Sequence, residues 1–132
     1  MTILEEAQQI TEGARRRDYG RPLINHLRIA LEWSRLTKSV ITPDRVVEMM
    51  IALKWERHTN SPKFDNLLDI IGYTACLDDM ANQIMGMVTV DARTPTYTEA
   101  LLHLRRMSVD EMKVMLRTLD AEDVSMCGVV EG

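Results

Sequence analysis

Two aspartates on a predicted helix are the first residues whose spacing could do chemistry. Asp65 and Asp69 are four residues apart, and Tyr73 follows at the same interval, so all three project from one face of an α-helix. Two carboxylates one turn apart can share a hard cation such as Mg²⁺, which prefers oxygen ligands and usually keeps several waters. The alternative is that neither carboxylate binds a ligand. Asp65 would then be a first-turn acid favoured by the helix dipole, and Asp69 would be a solvated surface charge.

Two cations precede these acids on the previous predicted helix. Lys54 and Arg57 are three residues apart and share a face. With the two carboxylates of the next helix they would form a phosphate-plus-metal site at the junction of the helix pair. The alternative is a set of surface salt bridges among the same four side chains, which contributes little to stability.

An arginine-rich segment adds further candidates. Residues 15–28 contain five arginines against a single acid, Asp18, in a chain whose net charge is −4. A local basic segment in an acidic protein suits a small anion better than a long phosphate backbone, so we expect no binding of long nucleic acids. Asn25, Arg28 and Glu32 then repeat at spacings of three and four, which places them on one side of the predicted second helix.

Four helices are predicted to position these residues. Apolar side chains recur at helical spacing, and proline marks three of the starts: Pro22, and, with hydroxyl or acidic residues, Thr42-Pro43-Asp44 and Ser61-Pro62. The fourth helix is apolar on more than one face, as expected of a helix buried in a bundle or at a subunit interface. The predicted ranges are 3–18, 22–37, 43–58 and 61–85.

The C-terminal third is predicted to form a smaller helical part. After a break at residues 86–95, two capping boxes, Thr96-x-x-Glu99 and Ser108-x-x-Glu111, open helices over 98–106 and 109–118. Asp120 is expected to cap a last turn that reaches Ser125. We therefore predict an all-α fold, with a four-helix core at 1–86 and a linker with a short helical appendage at 87–132.

Several classes of protein are excluded by what the sequence lacks. The N-terminus has no secretory pattern and no segment is long and apolar enough to span a membrane, so we expect a cytoplasmic protein. Cys76 and Cys127 form neither a zinc pattern nor a disulfide framework, and Cys76 is expected to be a buried thiol. No Gly-rich phosphate loop and no Ser/His/Asp or Cys/His pattern is present, so nucleophilic catalysis has no support.

The polar residues together resemble a known set. The ordered motifs Tyr19-Gly20-x-Pro22, Asn25, Lys54-x-x-Arg57 and Asp65-Asn66-x-x-Asp69-x-x-Gly72-Tyr73 are similar to those of small bacteriophage and prophage proteins, over roughly residues 3–85. That family in turn resembles the MazG-like all-α nucleotide pyrophosphohydrolases. The resemblance implies a four-helix unit that forms a dimer or tetramer, with a nucleotide pocket between helices.

The resemblance also implies an activity and roles. The activity would be Mg²⁺-dependent cleavage of a nucleoside triphosphate to the monophosphate and pyrophosphate, in which the metal neutralises phosphate charge and presents a water. Asp65 and Asp69 would hold the metal and serve catalysis. The phosphate- and ligand-binding set would be Lys54, Arg57, Asn25, Arg28, Tyr19, Asn66 and Tyr73.

One departure keeps two alternatives open. MazG-like enzymes carry acidic pairs on two successive helices, which form a four-carboxylate cage, whereas the third helix here offers Lys54-x-x-Arg57. The cage is therefore incomplete, and the chain could bind or sequester a nucleotide, or a nucleotide-derived signal, without hydrolysing it. The other alternative is a helical interaction protein with no small-molecule ligand, whose residues 96–126 dock on a partner.

Overall fold

The computed structural model describes the backbone of residues 1–12 and 21–131, and the side chains of 1–9 and 21–122. Over these residues the chain is helical, which confirms the predicted all-α fold class. Their one β-pairing is an isolated bridge between Val90 and Arg93. No helix in these ranges combines the length and the apolar character that crossing a membrane requires. The helices are α1 (Ile3–Glu12), α2 (Pro22–Thr37), α3 (Pro43–Asn60), α4 (Phe64–Met87), α5 (Tyr97–Arg105) and α6 (Val109–Glu131).

The proline signals set two helix starts as predicted. α2 begins at Pro22, and α3 begins at Pro43 directly after Thr42, with proline at the first position in each. Proline suits this position because its missing N–H would have no partner within the helix. The predicted end of the first helix, at Asp18–Gly20, lies outside the described residues.

The start of α4 differs from the prediction. Ser61-Pro62 does not open the helix, which begins at Phe64. Ser61 instead ends α3, because its backbone N–H donates to the carbonyl oxygen of Arg57 at 2.9 Å. His58 Nδ1 then accepts from the backbone N–H of Lys63 at 3.2 Å, which ties the three-residue connection back to α3. The resulting tight turn makes α3 and α4 an antiparallel pair.

α4 is the central helix, since it packs against α1, α2, α3 and α5. α5 also contacts α3, and α6 packs on α2. The C-terminal helices therefore bury side chains in the same hydrophobic cluster as α2, α3 and α4. Its fully buried larger members include Leu23, Leu27, Val46, Val47, Met80, Ile84, Leu104, Met112 and Leu119. Cys76, on the same side of α4 as Met80, is buried as predicted.

Both predicted capping boxes are confirmed, but the last helix is longer than predicted. Thr96 Oγ1 accepts from the N–H of Glu99 at 3.2 Å, and Ser108 Oγ accepts from the N–H of Glu111 at 3.1 Å. α6 does not end near residue 118, and Asp120 does not cap a new turn. Asp120 lies inside α6 and pairs with Arg28 of α2 at 2.8 Å. Its carboxylate therefore makes a tertiary contact and not the helix cap predicted from the sequence.

Candidate functional site

The buried faces of α3 and α4 become polar toward the turn that joins them. On α3, Val47 is fully buried, and Lys54 follows seven residues later on the same face. On α4, buried Tyr73 precedes Met80 by seven residues, and Asp69 lies four residues before Tyr73. Charged side chains thus occupy core-facing positions on both helices at the same level, and a broken apolar pattern of this kind is typical of a functional site.

The two charges at these positions contact each other directly. Lys54 Nζ lies 2.9 Å from Asp69 Oδ2, with the two side chains 19% and 33% exposed. Such partial burial weakens solvent screening relative to a surface pair. It also means that removing either partner would leave the other charge poorly solvated.

Two further charged side chains lie one turn closer to the helix ends. Arg57 follows Lys54 on α3 and Asp65 precedes Asp69 on α4, and both are exposed. Within the described residues no ion pair includes either of them. We call Lys54, Arg57, Asp65 and Asp69 the α3–α4 cluster: a half-buried ion pair with one exposed cation and one exposed anion on its solvent side.

The other predicted site residues lie in different surroundings. Tyr73 is 9% exposed and belongs to the hydrophobic core, so it lies on the interior side of the cluster. Asn66 is half-buried, one turn before Asp69. Asn25 is half-buried on α2, and Tyr19 lies outside the described residues.

Arg28 is not part of this cluster. Its guanidinium pairs with Asp120 at 2.8 Å, because the face of α2 that carries it is the face on which α6 packs. The spacing of Asn25, Arg28 and Glu32 correctly placed Arg28 on α2. The sequence did not show that α6 would pack on the face of α2 that carries Arg28. Loss of Arg28 would affect α6 docking before it affected the α3–α4 cluster.

The donor set of the cluster does not fit a resident Mg²⁺ ion. No group of three His, Cys, Asp or Glu side chains among the described residues could hold a metal. Asp65 and Asp69 supply two carboxylates, and the Lys54 ammonium already contacts one Asp69 oxygen. A resident metal would compete with that ammonium for the same oxygen, so the two carboxylates do not form a metal site by themselves.

Two of the clefts that the sequence did not anticipate lie between helices distant in the chain. One, of about 480 Å³, lies between the start of α3 and the end of α5, where Arg105 Nε is 3.5 Å from Asp44 Oδ2. The other, of about 490 Å³, lies between α2 and α6, with Leu31, Val109 and Leu116 among its lining residues. Both depend on packing between helices distant in sequence, for which local spacing gives no signal.

The fold and the cluster define a small all-helical protein with a charged site between two antiparallel helices. Residues 2–81 match the model of the domain of unknown function DUF6378, and the chain belongs to this family. The matched region contains α1 to α3 and most of α4, and therefore the whole α3–α4 cluster. The curated relatives come from mycobacteriophages, which confirms the predicted relationship to phage proteins.

Two phage proteins are similar to the chain. It is 42% identical over 82 residues to the Gene 55 protein of Mycobacterium phage L5, covering 61% of this chain and 53% of that protein. It is 35% identical over 78 residues to the Gene 55 protein of Mycobacterium phage D29, covering 58% and 52%. The chain thus spans about half the length of the curated relatives it matches. No solved structure matches it.

Proposed function

We propose that the chain binds a nucleotide through its phosphate groups at the α3–α4 cluster. The observation that carries this proposal is the Lys54–Asp69 pair, held at 2.9 Å in core-facing positions of two helices. Arg57, one turn from Lys54 on the same helix, is an exposed second cation without an ion-pair partner among the described residues. Ammonium and guanidinium groups at this spacing can contact neighbouring phosphates of one polyphosphate chain.

Capture without hydrolysis is the form of this function that the cluster supports best. A MazG-like core would supply carboxylates from both helices to a metal, whereas α3 supplies Lys54 and Arg57 here. The four charges of the cluster sum to zero, so an incoming phosphate would compete with the Asp69 carboxylate for the Lys54 ammonium. Mg²⁺-dependent cleavage of a nucleoside triphosphate is the second candidate, supported by the Asp65 and Asp69 carboxylates, which could contact a metal carried by the phosphates.

The proposal includes self-association into a dimer or tetramer. Large apolar side chains are exposed around the α3–α4 turn: Leu53 by 40%, Trp55 by 54% and Phe64 by 52%. We propose that these side chains contribute to the contact between subunits, since assembly would remove them from water. Light scattering of the purified chain over a range of concentrations would give the subunit number.

Calorimetry with a panel of nucleoside mono-, di- and triphosphates, in Mg²⁺ or in EDTA, tests the proposal. Chromatography of the ligand afterwards separates capture from cleavage. We expect saturable binding of at least one nucleotide, recovery of intact ligand, and binding about tenfold weaker for Arg57→Ala, since one charged hydrogen bond to phosphate is lost.

Arg45→Ala is the matched control, because Arg45 is an exposed arginine on the same helix that pairs with Glu48 at 3.1 Å. It should bind as the parent does. Absence of saturable heat with every nucleotide, or equal binding by Arg57→Ala and the parent, would exclude the cluster as a phosphate site and favour an interaction protein. Release of pyrophosphate that is lost in Asp69→Ala would establish the second candidate instead.

A further inference from the structure

A groove of about 430 Å³ lies between α5 and α6, at the opposite end of α4 from the α3–α4 cluster. Met87 lines it at the C-terminal end of α4, 18 residues after Asp69 in the same helix, or roughly 27 Å along the axis. The groove also lies beyond residue 81, where the match to the family ends. We infer that it binds a basic amphipathic helix of a partner protein, an interaction separate from the proposed nucleotide site.

The lining of the groove is apolar and adaptable. Met107, Met115 and Met87 line it together with Val114, and exposure rises from 3% at Met107 to 39% at Met87 and 54% at Val114. Unbranched methionine side chains can rearrange around differently shaped apolar groups. The groove can therefore accept large apolar side chains from another helix without a preformed pocket for each.

The edge of the groove selects the charge of the partner. Asp110, Glu111 and His103 are its ionisable lining residues, and no Lys or Arg among the described side chains lines it. Glu111 uses Oε1 to accept the backbone N–H of Ser108 at 3.2 Å, which fixes the side chain beside the groove. Two carboxylates next to an apolar floor favour a ligand that presents lysine or arginine beside its apolar side chains, by electrostatic complementarity.

The groove is open along one stripe of α6, on which an amphipathic helix can lie. The α6 side chains that line the groove repeat at helical spacing, with Asp110, Val114 and Thr118 at intervals of four and Glu111 and Met115 offset by one. A partner helix that lies along this stripe, with apolar residues at i, i+3, i+4 and i+7, would cover Val114 and Met115. Its flanking cations would then face the two acids.

Fluorescence anisotropy with two labelled peptides tests the inference. Each peptide is about 15 residues, four helical turns, with leucines on one face. One carries lysines on the polar face and its twin carries glutamates. We expect the lysine peptide to bind at least about tenfold more tightly than its twin, and to bind more weakly as salt is raised.

Two variants locate the binding surface. Val114→Lys replaces an exposed apolar side chain by a cation at a helical position that tolerates lysine, and should weaken binding about tenfold. Leu36→Lys makes the same change at a 63% exposed position of α2, and should leave binding as in the parent. Equal binding of both peptides, or equal effects of the two variants, would overturn the inference whatever the outcome of the nucleotide titration.

Discussion

Lys54 and Asp69 form the ion pair that joins α3 to α4 among the described residues, with Nζ and Oδ2 2.9 Å apart. Their exposure of 19% and 33% contrasts with that of Arg45 and Glu48, a pair within α3 whose side chains are 57% and 64% exposed. The Lys54–Asp69 pair is thus part of the packing between two helices as well as part of the proposed site. Its energetics can be measured separately from binding.

Removing one partner of this pair should destabilise the fold more than removing both. We expect Lys54→Met to lower the free energy of unfolding by about 1–2 kcal/mol, because Asp69 is left partly buried without its cation. The double variant Lys54→Met/Asp69→Leu should recover most of that loss. Urea unfolding measures both, and a double variant whose loss equals the sum of its single variants would contradict this account.

Arg57 should matter little for stability. Its side chain is exposed and makes no ion pair with the described residues, so Arg57→Ala should change the free energy of unfolding by less than about 0.5 kcal/mol. The same urea series measures this. A loss above about 1 kcal/mol would mean that Arg57 has a structural role, and would weaken its use as a probe of ligand binding.

The turn that closes the Val90–Arg93 bridge should be improved by glycine. Asp91 and Ala92 have φ angles of 51° and 61°, in the left-handed region that alanine adopts only at a cost. We expect Ala92→Gly to raise the free energy of unfolding by about 0.5–1 kcal/mol, the relief of strain exceeding the entropy that glycine loses on folding. Ala92→Val should have the opposite effect, and urea midpoints of the two variants would show the difference.

Glu99 should give the fold an acid-dependent contribution. Hydrogen bonds from Arg93, and then from the Thr96 backbone N–H, lower the pKa of this carboxyl from 4.5 to about 2. A lowered folded-state pKa stabilises the fold fully above pH 4.5, and this contribution is lost as the pH falls toward 2. The stability difference between the parent and Glu99→Gln should therefore shrink over that interval.

Urea unfolding at several pH values between 2 and 6 measures this effect. The interval contains both the ordinary pKa of the Glu99 carboxyl, 4.5, and its lowered pKa of about 2. Arg93→Gln is the control, since it removes the largest cause of the lowered pKa and should flatten the same dependence. A difference between the parent and Glu99→Gln that stays constant across the interval would show that the ion pair is not formed in solution.

Local signals in the sequence accounted for most helix starts. Pro22, Thr42-Pro43 and the two capping boxes act within one turn of the chain, so their residue types suffice to predict them. Ser61-Pro62 has the same residue types as the other start signals but does not start a helix. Ser61 ends α3, because its backbone N–H donates a hydrogen bond to the carbonyl oxygen of Arg57. A start signal directly after a helix end is ambiguous without knowledge of the hydrogen bonds that close the turn.

Contacts between distant segments could not be predicted in the same way. Spacing placed Lys54 and Asp69 each on a helix face, and the short connection brought those faces together. The pairing of Arg28 with Asp120 spans 92 residues and depends on the packing of α6 on α2, so spacing gave no indication of it. The α5–α6 groove was missed for the same reason, although the capping boxes that start both helices were recognised.

Nucleotide titration of the double variant Lys54→Met/Asp69→Leu, beside the parent, tests the central claim most directly. The variant removes the charges at the centre of the α3–α4 cluster while keeping the helices packed, which its urea midpoint verifies. We predict that the parent binds a nucleotide that the folded double variant does not bind. Equal affinity in the two proteins would contradict the claim that this cluster is the phosphate site.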